Sequence, residues 1–191
     1  MDKLTQLPPD LPIPVDDGAC NHLLGIYLPS ISLLSTQGEY VDLSMILGRV
    51  VVYCYPMTGQ PGISLPDKWD GIPGARGCTP QSCNFRDHYQ QLNKLGARVF
   101  GVSTHSTNQQ LEAKTRLHLP FELLSDHALN FTSMLQLPMF EVEGKHFIKR
   151  VTLVVEEGKI IKFFYPVFPP DKNADDVINW LQKYTGGVDF R

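Results

Sequence analysis

The segment Cys78-Thr79-Pro80-Gln81-Ser82-Cys83 sets two thiols five positions apart where the chain takes up helical spacing, a pattern that could support thiol redox chemistry. A sulfur at a helix start faces unpaired backbone N–H groups and the positive end of the helix dipole, which favours the nucleophilic thiolate of Cys78. On a helical wheel Cys78 shares the face of Phe85 and Tyr89, whereas Cys83 is turned by about 140° toward solvent. If both are helical, their Cα atoms lie about 8.5 Å apart, beyond the ~7 Å limit for a disulfide. Joining them requires the helix start to unwind. This suggests a cycle in which Cys78 is oxidised to a sulfenic acid in the helical state and condenses with Cys83 in a locally opened one. Two structural thiols, or half of a metal site, are alternative readings of the same pair. Zinc is disfavoured: Cys54 falls in an expected strand and Cys20 in an extended arm, and His22, His88, His105, His118, His127 and His146 show no paired ligand spacing.

The elements that must position these thiols can be read from periodicity. Val50 to Tyr55 is a continuous apolar run closed by Pro56, as in a central strand covered on both faces, which makes Cys54 inert packing. A helix is expected from Thr79 to Leu95 with Gly96 as its stop, then a strand from Arg98 to Ser103. A second helix follows from about Thr107 to His118, opened by a Thr107/Gln110 capping box. Beyond it come a short strand at Phe121 to Leu124, a helix near His127 to Leu135, and a hairpin of Phe147 to Val155 with Lys159 to Tyr165. A final helix carries Ala174, Val177, Ile178, Leu181 and Tyr184 on one face. Upstream, Ile31 to Leu34 and Glu39 to Val41 read as a small hairpin. The order β-α-β, then α, then β-β-α implies an α/β class with the thioredoxin fold, a central mixed sheet flanked by helices. Gly59 to Gly77 is a long irregular loop that delivers the chain to Cys78, with Trp69 as a candidate anchor.

With 191 residues the chain is expected to form one domain, 1–191, with 1–30 as an extended N-terminal arm. A formal charge of −3 and the lack of a basic run argue against nucleic-acid partners. No apolar run approaches the roughly 18 to 20 residues of a membrane span, so no membrane partner is expected. The N-terminus, punctuated by Pro8, Pro9, Pro12 and Pro14, lacks a secretory pattern, which makes a cytoplasmic location the expectation.

Gly77-Cys78-Thr79-Pro80-Gln81-Ser82-Cys83-Asn84-Phe85-Arg86-Asp87, with Arg49 to Ser103 around it, resembles the peroxiredoxin Q or bacterioferritin comigratory protein group of the peroxiredoxin family. In that group a Gly-Cys-Thr opens the helix, a resolving cysteine follows five positions later, and Phe-Arg-Asp comes next. The likeness continues into Lys149-Arg150-Val151-Thr152-Leu153-Val154-Val155, where the family has an arginine before a Thr-containing apolar strand. The resemblance implies a thiol-dependent peroxidase reducing hydrogen peroxide or organic hydroperoxides. Cys78 would be its peroxidatic cysteine, Cys83 its resolving cysteine, and Arg150 the arginine aimed at the sulfur and peroxide oxygens. A permanently charged guanidinium with fixed donors suits that task.

In one place the sequence departs from the family. The hydroxyl residue normally found three positions before the peroxidatic cysteine is replaced by Ala75. Pro56 and Thr58 look like the family's Pro and Thr displaced by the Gly59 to Gly77 insertion, and folding back of the loop would return Thr58 to Cys78 as a substrate contact. The implied partners are a peroxide and a thioredoxin- or glutaredoxin-like reductant, for a monomer or homodimer with no metal or organic cofactor. Two other functions fit the same fold: a thiol-disulfide oxidoreductase, although Cys-x2-Cys is absent, and a redox sensor or holdase signalling through the Cys78 helix.

Overall fold

The computed structural model describes residues 4–186; residues 1–3, where the expected arm begins, and 187–191 lie outside the described residues. Among the described residues, nine strands and five α-helices follow in the order β1 (Ser32–Ser35), β2 (Tyr40–Asp42), β3 (Arg49–Cys54), α1 (Cys78–Asp87), α2 (Tyr89–Lys94), β4 (Ala97–Ser103), α3 (Thr107–Leu117), β5 (Glu122–Ser125), α4 (Asn130–Met134), β6 (Met139–Val142), β7 (Lys145–Ile148), β8 (Val151–Glu156), β9 (Lys159–Phe164) and α5 (Asn173–Gly186). Seven strands form one sheet in the order β2-β1-β5-β4-β3-β8-β9, while β6 and β7 pair separately. The apolar strand β3 is central, parallel to β4 and antiparallel to β8.

Alternation along β3 divides the core. Val50, Val52 and Cys54 join a layer with Leu124, Phe131, Leu153 and, from the chain before β1, Cys20 and Leu23. Val51, Tyr53 and the following Tyr55 face the other layer, formed by Phe85 of α1, Leu92 of α2, Ala113 and Leu117 of α3, and Val177 and Leu181 of α5. Each such large side chain, once fully buried, contributes roughly 1.5–3 kcal/mol. The β3-α-β4 unit, the β8–β9 hairpin and the closing helix make this the thioredoxin fold.

Three boundaries differ from the sequence expectation. The helix after Cys78 is broken at His88, whose imidazole Nδ1 lies 2.9 Å from the Asn84 carbonyl that its own backbone N–H also approaches. This side-chain competition ends the regular ladder. The capping box of α3 is one residue earlier than Thr107/Gln110: Ser106 and Gln109 form it, because Gln110 is buried and donates to Ser103 Oγ and the Leu124 carbonyl. The expected single strand from Phe147 to Val155 is two strands, β7 and β8. Their break leaves Lys149 and Arg150 between a surface hairpin and the main sheet.

Candidate active site

Gly77 caps α1 at φ 102°, and a Cβ there would sit 2.4 Å from Pro170 Cγ, so both backbone and space call for glycine. This tight entry sets Cys78 at the first position of α1 with 2% of its surface exposed. Three groups meet its sulfur. The Met57 backbone N–H donates to Sγ at 3.3 Å, Arg150 Nη2 donates at 3.3 Å, and the thiol donates to the Ala75 carbonyl at 3.6 Å. Pro56 is buried at the end of β3 and has no N–H of its own, so the first amide beyond the strand that can reach the sulfur is that of Met57.

Arg150, at the threshold of β8, is 3% exposed. Its Nη2 also donates to the carbonyls of Gly74, Ala75 and Arg76, at 3.2, 3.3 and 3.1 Å, so the guanidinium ties down the end of the long loop. Its Nη1 donates to Gln81 Oε1. Gln81 Nε2 in turn donates to Asn173 Oδ1 at 2.8 Å, which also accepts from Thr152 Oγ1 at 2.6 Å. Among the described residues no carboxylate pairs with Arg150. Its acceptors are neutral, and the one that can become an anion is Cys78.

The site thus brings together Cys78 and Arg150, with Cys83 in the same helix. Cys83 is half-buried against the α-helical layer rather than turned fully to solvent, and burial pushes its thiol pKa up, opposed chiefly by Arg86. The loop from Gly59 to Gly77 does fold back, anchored by Trp69, which is 2% exposed and packed on Phe140 and Phe147. What the turn at its start brings to the sulfur is the Met57 amide. Thr58 is buried and lines a neighbouring cavity of about 70 Å³ with His105, Gln109 and Glu112, whereas the cavity touching Cys78 is lined by Met57 and Gly59 on either side of it. Gln81, Asn173, Thr152 and the Met57 amide were not singled out by sequence reasoning. Gln81 stands between the two cysteines, but nothing local signals that it bridges Arg150 to a residue 92 positions away.

The remaining thiols are elsewhere. Burial pushes the Cys20 thiol up to about 12 and raises that of Cys54 further, keeping both protonated in the apolar layer on the far face of the sheet.

A cysteine sulfur at a helix start, facing a buried guanidinium at the end of a thioredoxin-fold sheet, defines a thiol-based redox protein. Residues 24–178 match the Redoxin family model. The chloroplastic peroxiredoxin Q of Oryza sativa subsp. japonica is 32% identical over 160 residues, covering 83% of this chain and 66% of the rice protein. The chain therefore spans about two thirds of that relative's length. A peroxiredoxin bcp of Coxiella burnetii is 29% identical over 163 residues, covering 83% of this chain and 97% of its own. The crystal structure of peroxidoxin BcpB from Mycobacterium tuberculosis superposes with a TM-score of 0.68 at 24% identity, over 84% of this chain and 96% of that one. The chain belongs to the redoxin family, among the peroxiredoxins of the Q and bcp type. Among the described residues, no helix is long and apolar enough to cross a membrane.

Proposed function

We propose that this protein is a thiol peroxidase that reduces hydrogen peroxide or organic hydroperoxides. The observation that carries the reading is a buried Arg150 without a carboxylate partner among the described residues, donating to a buried cysteine sulfur at 3.3 Å. An unpaired buried cation is costly, and a Cys78 thiolate is the group placed to offset it. The names of the relatives support the same activity.

In the proposed cycle the Cys78 thiolate attacks one peroxide oxygen, the S–O bond forms as O–O breaks, and the departing oxygen takes a proton and leaves as water or alcohol. Cys78 is then a sulfenic acid, oxidised by the two electrons the peroxide gained. The Met57 amide and Arg150 hold the attacking sulfur, and Arg150 is also the donor for charge on the departing oxygen. Cys83 then attacks the sulfenic sulfur. Its thiol proton leaves with the hydroxyl as water, and a Cys78–Cys83 disulfide forms. A thioredoxin- or glutaredoxin-like dithiol supplies two electrons and two protons to restore both thiols. No metal or organic cofactor enters this cycle, the proposed setting is the cytoplasm, and one domain acts as a monomer or homodimer. Pro56 fixes the turn that presents Met57.

Peroxide turnover under thioredoxin recycling tests the assignment. Cys78→Ser is expected to lose at least about three orders of magnitude, since the nucleophile itself is removed. Cys83→Ser is expected to react once and stall as sulfenic acid. Undiminished turnover by Cys78→Ser would sink the proposal, and stoichiometric oxidation of the wild type without turnover would favour a sensor instead.

A further inference from the structure

The chain before β1 reaches the pocket that Cys78 lines. Leu4 and Leu7 are half-buried, while Thr5 and Gln6 between them are exposed, so a single turn of chain lays two leucines on the protein. Both land on glycines. A Cβ at Gly59 would be 2.6 Å from Leu4 Cδ2, and one at Gly77 would be 2.8 Å from Leu7 Cδ2. Gly77 immediately precedes Cys78, and Gly59 lines the cavity that Cys78 also lines. Leu4 lines that same cavity.

The cavity is small, about 10 Å³, close to the least that admits one water. Beyond a wall of Met57, Gly59 and Leu65 the space widens to about 70 Å³, and on the far side of Met57 to about 500 Å³. Leu65 is on that wall too, 3.3 Å from a Cβ built at Gly59. Leu4 therefore packs on Gly59, one of the three residues that line both the pocket at Cys78 and the cavity of about 70 Å³. Neither Leu4 nor Leu7 belongs to the three apolar clusters of the described residues.

We propose that Leu4 determines substrate size: with the leucine in place Cys78 meets peroxides no larger than hydrogen peroxide, and bulky organic hydroperoxides react only when this turn of the arm is displaced. This inference rests on the peroxidase reading. It identifies hydrogen peroxide as the preferred substrate class.

The test uses the full chain with Leu4→Ala, Leu4→Ala/Leu7→Ala and Leu4→Phe. Second-order rate constants for Cys78 oxidation by hydrogen peroxide and by cumene hydroperoxide are measured by rapid mixing and thiol alkylation. The quantity read is the cumene-to-hydrogen peroxide ratio, which general damage to the site would not move. Leu4→Ala is expected to raise it about tenfold, the scale of discrimination that a few methylenes supply, with a larger rise in the double variant. Leu4→Phe is expected to lower it. A ratio unchanged in all three variants, with normal hydrogen peroxide oxidation, would overturn the size filter alone. A wild type oxidised by neither peroxide would overturn both the filter and the peroxidase reading.

Discussion

Arg150 is held by three loop carbonyls, the Gln81 amide and the Cys78 sulfur, so its position is fixed by geometry as well as by charge. Lysine would keep the charge but could not span these acceptors, since its ammonium is one point rather than a planar fork. On the proposed reading, Arg150→Lys should slow Cys78 oxidation by hydrogen peroxide by about 10²- to 10³-fold, the usual cost of losing one preorganised donor. Gln81→Leu, which keeps the volume but removes the acceptor for Nη1, should cost about tenfold through a misplaced guanidinium. Rapid-mixing measurements check both, and full rates in Arg150→Lys would show that charge alone suffices. The two residues were unequally legible. Arg150 was found through the family likeness of the Lys149 to Val155 segment, since a lone arginine before a strand otherwise reads as a surface ion pair. Gln81 could not be found, because its role depends on Asn173 of α5, which only the folded chain brings near.

Helix α1 is suited to opening by what it buries. Cys78, Pro80 and Phe85 are apolar, but Thr79, Gln81, Ser82 and Asn84 are buried polar residues held by side-chain bonds such as Tyr53 to Ser82 and Asn84 to Asp175. Unwinding the first turns exposes little apolar surface, and water can replace those bonds, so opening costs far less than global unfolding. Because the proposed disulfide cannot form within an intact helix, oxidation by one equivalent of peroxide should speed amide exchange across 79–83 while leaving β3 and β4 protected. Cys83→Ser should show no such change. Hydrogen exchange with mass analysis checks this, and an oxidised wild type with α1 as protected as in the reduced form would refute the opening. Elements carried by apolar periodicity, such as β3 and α5, were legible in the sequence. The break at His88 was not, because it arises from an imidazole taking a carbonyl rather than from a change of pattern. The β6–β7 hairpin escaped because Lys145 to Ile148 is an exposed-to-buried stretch that runs straight on, by composition, into β8.

Across the whole molecule, the site side of the sheet is joined to its stability through His105. This residue lies between β4 and α3, is 9% exposed, and lines two of the three cavities that Met57 lines. Burial, helped by the nearby charge of Lys145, lowers its pKa from 6.5 to about 4. The folded protein therefore keeps His105 neutral over a range in which the unfolded chain binds a proton. Between about pH 6.5 and 4 the unfolded state holds more protons, so this contribution to stability is complete above pH 6.5 and is lost as pH falls toward 4. The full span corresponds to up to about 3 kcal/mol. Carboxylates also titrate near the lower end, so acid destabilisation alone would not identify the histidine; a comparison with His105→Gln does. Thermal or urea unfolding at pH 7, 6, 5 and 4.5 should show the wild type losing stability more steeply than His105→Gln, with most of the difference arising below pH 6. Parallel curves would mean that His105 is hydrated and protonated in the folded state, and that the wall beside Met57 is open to water.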